Sequence, residues 1–495
     1  MKILTTASPL PASPFRPRLG PGLAGVLLLS LAGCAVGPTF QTPKPPSTGQ
    51  YGSAPLPAGT SAIPTAMGEA QSFQQGAPVP ERWWQSFGSP ELDERVAQAL
   101  QHNPSLASAQ AALRRAQETL RAANGGRMPS FDLRAGATRE NTSADGVITS
   151  PYTLYNASVN VSYTLDLFGG VRRGIEYQQA LADQQRWLLQ GASLSLAANV
   201  TTASIQEAGL RAQLQAAEAV VTLLQEQLEL TRQQIQLGAK SETDLLAAQA
   251  NLAAARVPLP GLRRQLEALR NQLQVYLGRF PSEGGLGQLT LDGLTLPKDL
   301  PVSLPSTLVR QRPDVLAAEE MVHAATAQVG LATANLLPSL TLGGAYGPQT
   351  TQSRNLMQNN VMAWNLGLNV LQPLFHGGSL RAQKRAAAAG LDQTVADYRT
   401  TVLTAFTNVA DALDALQFDA EILQARTEAE RAAASSLALV QSQYHLGAAS
   451  YLQMLDATRL WQTARSGLIQ AQSTRLADTA ALYAALGGGW NSQAN

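Results

Sequence analysis

The chain is short of reactive chemistry. It has 495 residues but one cysteine and four histidines. A single cysteine excludes an intrachain disulfide and a cysteine-rich zinc site. The histidines, His102, His323, His376 and His445, are isolated from one another, and the seven methionines are scattered. Neither pattern offers a metal relay. No HExxH, GxSxG or Walker-type phosphate loop occurs, so no enzyme class and no cofactor is indicated. Charge is scarce too: 14% of residues are charged and the formal net charge is +1. A nucleic-acid binder would normally be strongly basic. Aromatics make up 5%, which argues against a large conventional globular core.

What fills the chain is alanine, 80 of the 495 residues, with abundant leucine and glutamine. These are strong helix formers, so long helices are the expected default.

The N-terminus carries Lys2, Arg16 and Arg18 and then no charge from Leu19 to Pro43. Its apolar stretch Leu23–Ala32 falls short of the roughly 20 residues a membrane-spanning helix needs. Basic start, short apolar segment and small residues at its end make a signal-peptide layout. That stretch ends Leu31-Ala32-Gly33-Cys34, which resembles a bacterial lipoprotein box. The resemblance implies cleavage before Cys34 and lipidation of its sulfur. Because Ala35 follows the cysteine, it also implies sorting to the outer membrane. Several acyl chains on one residue anchor stably. Half of the prolines, 14 of 28, lie in residues 1–80. Residues 35–80 therefore read as an extended segment without a core of its own.

The chain is internally duplicated at an offset of 209 residues. Asn103-Pro104 matches Arg312-Pro313, and Met128-Pro129-Ser130 matches Leu337-Pro338-Ser339. Leu237-Gly238-Ala239 matches Leu446-Gly447-Ala448, Arg256 matches Arg465, and Leu277-Gly278 matches Leu486-Gly487. Leu167-Phe168-Gly169-Gly170 matches Leu374-Phe375-His376-Gly377-Gly378 with one insertion. The organisation expected is a signal peptide at 1–33, an extended segment at 34–89, a first repeat at 90–278, a linker at 279–311, a second repeat at 312–487 and a tail at 488–495.

Each repeat should open with a helix, at 91–124 and 313–335. Two strands, a very long helix, a glycine turn and a return helix should follow. In 155–167, Tyr155, Ala157, Val159, Val161, Tyr163, Leu165 and Leu167 alternate with Asn156, Ser158, Asn160, Ser162, Thr164 and Asp166. This period of two gives one apolar and one polar face. Segment 361–371 repeats it with Trp364, Leu366, Leu368 and Val370, and 130–141 and 338–347 bring the strand count to four. Such strands suit a small soluble sheet or a water-filled membrane barrel; the outer-membrane anchor favours the barrel. Four strands cannot close one, and an open edge cannot sit in lipid, so several chains must contribute.

Residues 172–237 contain no proline and would reach roughly 100 Å as a helix. Leu214, Val221, Leu228 and Ile235 recur every seven residues, as do Leu245, Leu252, Leu259, Leu266 and Leu273 on the return. That is coiled-coil spacing. Pro258 and Pro260 should kink or break the return helix.

Lipobox, strand pairs and long hairpins, repeated twice, resemble the TolC/OprM class of outer-membrane efflux channels, specifically the NodT-type lipoproteins of resistance-nodulation-division systems. Cys34-Ala35-Val36-Gly37-Pro38-Thr39-Phe40, Trp83-Trp84 with Phe87, Leu92 and Asn103-Pro104, and the two strand-to-helix junctions Leu165–Gly169 and Pro373–Gly378 carry the likeness. It implies a mainly α fold with transmembrane β: a homotrimeric 12-stranded barrel, four strands per chain, continued by a 12-helix periplasmic α-barrel of coiled-coil hairpins. It further implies a passive duct in a tripartite pump, with a periplasmic adaptor, an inner-membrane pump and outer-membrane lipid as partners. Adaptor hairpins would dock near the turns at Gly238 and Gly447.

The second turn, Tyr444 to Arg459, resembles the family's periplasmic tip. By position Leu452 matches an apolar constriction, Asp456 an aspartate repeated around the axis, and Arg459 a basic neighbour. Their spacing lets all three share one helix face. Three carboxylates at a narrow axis would favour cations and raise one another's pKa. Gln453 and Ala449 stand where some members carry a second acid and an arginine. Three rival functions are a lipid-tethered coiled-coil scaffold or adaptor without a barrel, a protein-secretion duct and a metal-ion efflux duct.

Overall fold

The computed structural model describes residues 35–52, 55–141, 143–144, 147–148, 151–358 and 362–488. Cys34 lies outside them. The described residues form two compact units. One gathers the chain up to Thr39 with Ala122–Tyr177 and Thr326–Ala389; the other gathers Phe40–Arg121, Gln178–Ala325 and the chain from Gly390 onward.

The eight main helices are α1 Pro90–His102, α2 Pro104–Gly125, α3 Gly170–Gln236, α4 Glu242–Arg256, α5 Pro258–Tyr276, α6 Pro313–Ala334, α7 Ser379–His445 and α8 Tyr451–Ala485. In the long helices the duplication is kept to the residue. Helices α3 and α7 are each 67 residues long, and both of their ends are offset by 209. The outer ends of the α4–α5 pair and of α8 keep the same offset.

Two helix breaks follow from proline. The single helix expected at 91–124 is in fact α1 and α2, broken at Asn103 before Pro104. A proline cannot continue the hydrogen-bond ladder, and it biases the preceding residue toward extended backbone; Asn103 has ψ 123°. The return helix is interrupted at Val257, ahead of Pro258, although Val257 keeps helical dihedrals (φ −54°, ψ −45°); Pro260 falls in the first turn of α5, where its missing N–H would have no partner in any case. Its repeat partner α8 has no proline and is continuous.

Asn103 and Arg312 show how equivalent positions do one job with different chemistry. Asn103 Nδ2 donates to the Tyr276 carbonyl at 2.8 Å, while Arg312 Nη1 donates to the Ala485 carbonyl at 2.7 Å. These bonds tie the start of each repeat to the end of its return helix. Gly278 and Gly487 close those helices with left-handed φ of 71° and 93°. Each also lies against a carbonyl: a Cβ there would sit 2.3 Å from the His102 oxygen or 2.9 Å from the Gln311 oxygen. Glycine meets both constraints at once.

In the first unit, β2 Ser130–Glu140, β3 Tyr152–Leu165, β5 Ser339–Thr350 and β6 Met362–Leu371 form an antiparallel sheet in the order β2-β3-β5-β6. Directly paired residues point to one side of a sheet, so the register defines two faces. Leu133, Val159, Tyr346 and Trp364 make one row, and Phe131, Val161, Gly344 and Leu366 the next. Tyr163, Leu342 and Leu368, then Leu165, Leu340 and Val370, continue it. The other face carries Asp132, Asn160, Ala345 and Asn365 in one row and Thr164, Thr341 and Asn369 in another. The apolar face is bare: Leu133 is 78% and Trp364 76% exposed. Strands β2 and β6 are the edges, and neither pairs further among the described residues.

The second unit holds a larger core than the aromatic content implied, because leucine, valine and alanine build it. Residues 40–80 and 279–311 contribute directly. Strand β1 Ser72–Gln75 pairs in parallel with β4 Asp299–Val302. Met67, Phe73, Leu289, Leu296, Leu300 and Leu308 are all buried in the main cluster. Trp83 is 1% exposed and stacks on Tyr483 at 5.3 Å. Further along, Ala217, Val221, Leu224 and Leu228 of α3 pack with Ala248, Leu252 and Leu259 of the return helices. This is the seven-residue seam expected there.

Candidate functional site

The two hairpin turns are built identically. After α3, Gly238 N–H bonds to the Ile235 carbonyl at 2.9 Å and Ala239 N–H to that of Gln234 at 2.8 Å. After α7, Gly447 N–H bonds to the Tyr444 carbonyl at 3.0 Å and Ala448 N–H to that of Gln443 at 2.8 Å. This pair of bonds is a Schellman motif and needs a left-handed residue; Gly238 and Gly447 have φ 71° and 73°. The return helices start on capping boxes, Ser241 with Asp244 and Ser450 with Gln453. In the second, Ser450 N–H bonds to Gln453 Oε1 at 2.7 Å. Gln453 therefore does locally what Asp244 does in the first turn, without its charge.

One contact at the turns was not visible in the sequence. Lys240, two residues past Gly238, donates from Nζ to the Tyr444 hydroxyl. It lies 4.6 Å from the Tyr444 ring centroid and 5.5 Å from that of Tyr451. The two rings are 6.0 Å apart. A cation over two aromatic rings joins the first turn to the second. The Tyr451 hydroxyl is buried without a hydrogen-bond partner, and burial pushes its pKa up to about 12.

Leu452, Asp456 and Arg459 are all exposed on α8, Leu452 at 67%. Met454, Leu455, Ala457 and Thr458 are buried on its other side. The three candidates thus share one free helix face, as their spacing requires. Arg459, but not Leu452 or Asp456, also lines a cleft of about 620 Å³ between the two hairpins.

Two buried charge clusters escaped sequence reading. Glu207, fully buried on α3, receives Arg95 at 2.7 Å and Arg211 at 2.5 Å, with Arg270 at 3.7 Å. Arg475, fully buried on α8, donates to the Met67 and Glu69 carbonyls and to Thr60 Oγ1, each at 2.9 Å, and to Gln71 Oε1 at 3.3 Å. It pins the N-terminal segment to the helices. The only hint was an arginine inside an alanine-rich helix, and that hint does not name a partner.

Three histidines have separate surroundings. His102 Nδ1 lies 3.1 Å from its own helix's Gln98 carbonyl, and His323 stacks on Phe40 at 4.4 Å. His376 is exposed. No group of three metal-ligating side chains occurs among the described residues. Nor, among them, is any helix long and apolar enough to cross a membrane.

A family model described as outer membrane efflux protein matches residues 96–279 and 304–488. The pyoverdine export outer membrane protein OpmQ of Pseudomonas putida is 30% identical over 472 residues, covering 94% of this chain and 96% of its own. The toluene efflux pump outer membrane protein TtgC of Pseudomonas putida is 29% identical over 467 residues, 94% of each chain. Among solved structures, the outer-membrane channel OprN superposes with a TM-score of 0.82 at 30% identity, covering 92% of this chain and all of its own (100%). The open-state MtrE outer membrane channel of Neisseria gonorrhoeae gives 0.78 at 26% identity, covering 92% and 98%.

Proposed function

The chain belongs to the outer membrane efflux protein family, and from that membership we propose that three copies form one passive duct for small molecules. The protein lies in the outer membrane and extends into the periplasm; it is not an enzyme. The observation that carries the duct is the four-stranded sheet, apolar on one face, polar on the other, with two unpaired edges. Lipid tolerates no unpaired strand edge. Edge β2 of one copy therefore pairs with edge β6 of the next, and three sheets close a 12-stranded barrel whose polar face lines water. A tethered scaffold without a barrel has no use for such a face.

The helical hairpins of three copies continue the duct as a 12-helix tube, and the turns at Gly238 and Gly447 receive a periplasmic adaptor. An inner-membrane pump supplies the energy. Relatives named for pyoverdine, toluene and antibiotic export support small organic cargo over protein. Cys34 anchors the chain by lipid. Leu452, Asp456 and Arg459 form the gate: leucines exclude water, and three aspartates attract cations.

Conductance of the purified protein in planar bilayers tests both levels. Wild type should give discrete trimer-sized openings, and Asp456→Ala should raise conductance or weaken block by multivalent cations. Channels indifferent to that substitution would remove Asp456 from the gate; a monomer without channel activity would refute the duct.

A further inference from the structure

We propose that the cleft between the two hairpins is a binding site for small polyanions, held by Arg426 and Arg459. The cleft, about 620 Å³, is walled by α3, α4, the start of α5, α7 and α8. Its lining includes these two arginines and no aspartate or glutamate. Neither guanidinium has a carboxylate partner among the described residues. The acid one turn beyond Arg426, Glu430, is engaged elsewhere: it accepts from Trp461 Nε1 at 3.2 Å and faces Arg465 at 3.8 Å. Thr458 and Thr463, also in the wall, spend their hydroxyl hydrogens on helix carbonyls. Donors left to meet a ligand include the two guanidiniums, aided by the Ser466 hydroxyl and by amide hydrogens of Gln462, Gln213, Asn251 and Gln470.

A second observation shows that the fold makes room for one of these cations. Gly467 sits inside the 35-residue helix α8, where glycine is less favourable than alanine. Its φ is ordinary, so no turn requires it. A Cβ at Gly467 would lie 3.0 Å from Arg426 Nη1 and 3.3 Å from its Cδ and Cζ. The missing side chain is the seat of the Arg426 guanidinium. In the first repeat the equivalent of Gly467 is Pro258, and Arg426 and Arg459 correspond to Ala217 and Ala250. The cationic wall belongs to the second repeat alone.

Arg459 and Gly467 are eight residues apart, roughly 12 Å along the helix. Two cations lining one cleft suit a molecule with several acidic groups better than a monoanion. Guanidinium pairs with phosphate and carboxylate oxygens by charge-assisted hydrogen bonds.

The test is calorimetric titration of the full-length protein in detergent with tripolyphosphate, and with orthophosphate at matched ionic strength. Tripolyphosphate should bind saturably, one per chain, and at least tenfold more tightly than orthophosphate. Arg426→Gln and Arg459→Gln should each weaken it about tenfold or more, and Arg399→Gln, exposed on α7 outside the cleft, should not. Gly467→Ala is the sharper variant, because it keeps every charge and only displaces Arg426; it should also weaken binding. Absence of saturable binding, equal affinity for the two phosphates, or wild-type affinity in any of the Arg426, Arg459 or Gly467 variants overturns the site. Binding is read without conductance, so its failure leaves the duct standing, and failure of the duct leaves the site.

Discussion

Asp419 makes the second unit less stable as the pH rises, and a single amide should abolish most of that loss. Asp419 is 6% exposed on α7, and its Oδ2 has no hydrogen-bond partner. Burial, then the neighbouring Asp478 carboxyl, pushes its pKa up to about 7, against the opposing pull of Arg475. Asp478 is also raised, by burial. Arg475 cannot neutralise both, because its hydrogen bonds go to Met67, Glu69, Thr60 and Gln71. The sign follows from linkage. Below about pH 4 the folded and unfolded chains both hold the proton, and Asp419 costs nothing. Between about 4 and 7 the unfolded chain releases it while the folded chain keeps it, so stability falls as pH rises. Above 7 the loss is complete and constant. Three pH units at about 1.4 kcal/mol each set a ceiling of about 4 kcal/mol, and relaxation around the pair brings this to about 2–4. The assay is thermal unfolding of the helices by circular dichroism, in detergent, at pH 5, 6, 7 and 8, for wild type and Asp419→Asn. The variant should exceed wild type by about a third of the full difference at pH 5 and by all of it at pH 8, the gap widening up to about pH 7, while keeping a smaller slope from Asp478. Parallel curves for the two proteins across this range would refute the reasoning.

Glycine substitutions should sort by what surrounds them. Gly278→Ala and Gly487→Ala combine left-handed strain with a carbonyl in the way, and each should cost about 2–4 kcal/mol, Gly278 more because its carbonyl is nearer. Gly238→Ala and Gly447→Ala meet nothing within 4 Å, so strain alone should cost them about 1–2 kcal/mol; equal losses in all four would show that the carbonyl contacts are immaterial. Cys34→Ser should abolish incorporation of labelled palmitate in cells, and persistent labelling would place the lipid elsewhere.

The duplication was legible because its markers are residues with backbone meaning. Proline, glycine and the cap serines sit at positions where the chain must break, turn or start, and the 209-residue offset survives there in both sequence and structure. The strands were legible for a similar reason: period-two alternation forces two faces whatever the neighbours are. Long-range charge was not legible. Arg475 and Gln71 are 404 residues apart, and nothing near either one names the other. Lys240 reads as a surface lysine until the second turn places two tyrosines beneath it. The prolines and glycines of 35–80 pointed to a loose segment, yet that segment is held by Arg475 and by β1 pairing with β4, contacts that exist only after the helices have assembled.

The two repeats separate what the fold requires from what it permits. Positions that end or tie helices stay equivalent even when chemistry changes, as where Asn103 and Arg312 reach the carbonyls of Tyr276 and Ala485. Backbone geometry leaves them no freedom to drift. Charge does not obey the repeat: Glu207 corresponds to Leu416, Asp419 to Leu210, and Arg426 and Arg459 to alanines. A duplicated scaffold would stand as well with symmetric charge, since most of its stability comes from apolar seams and caps. The unshared residues are therefore where the two hairpins are free to differ: Glu207 and Asp419 are buried, while Arg426 and Arg459 are exposed.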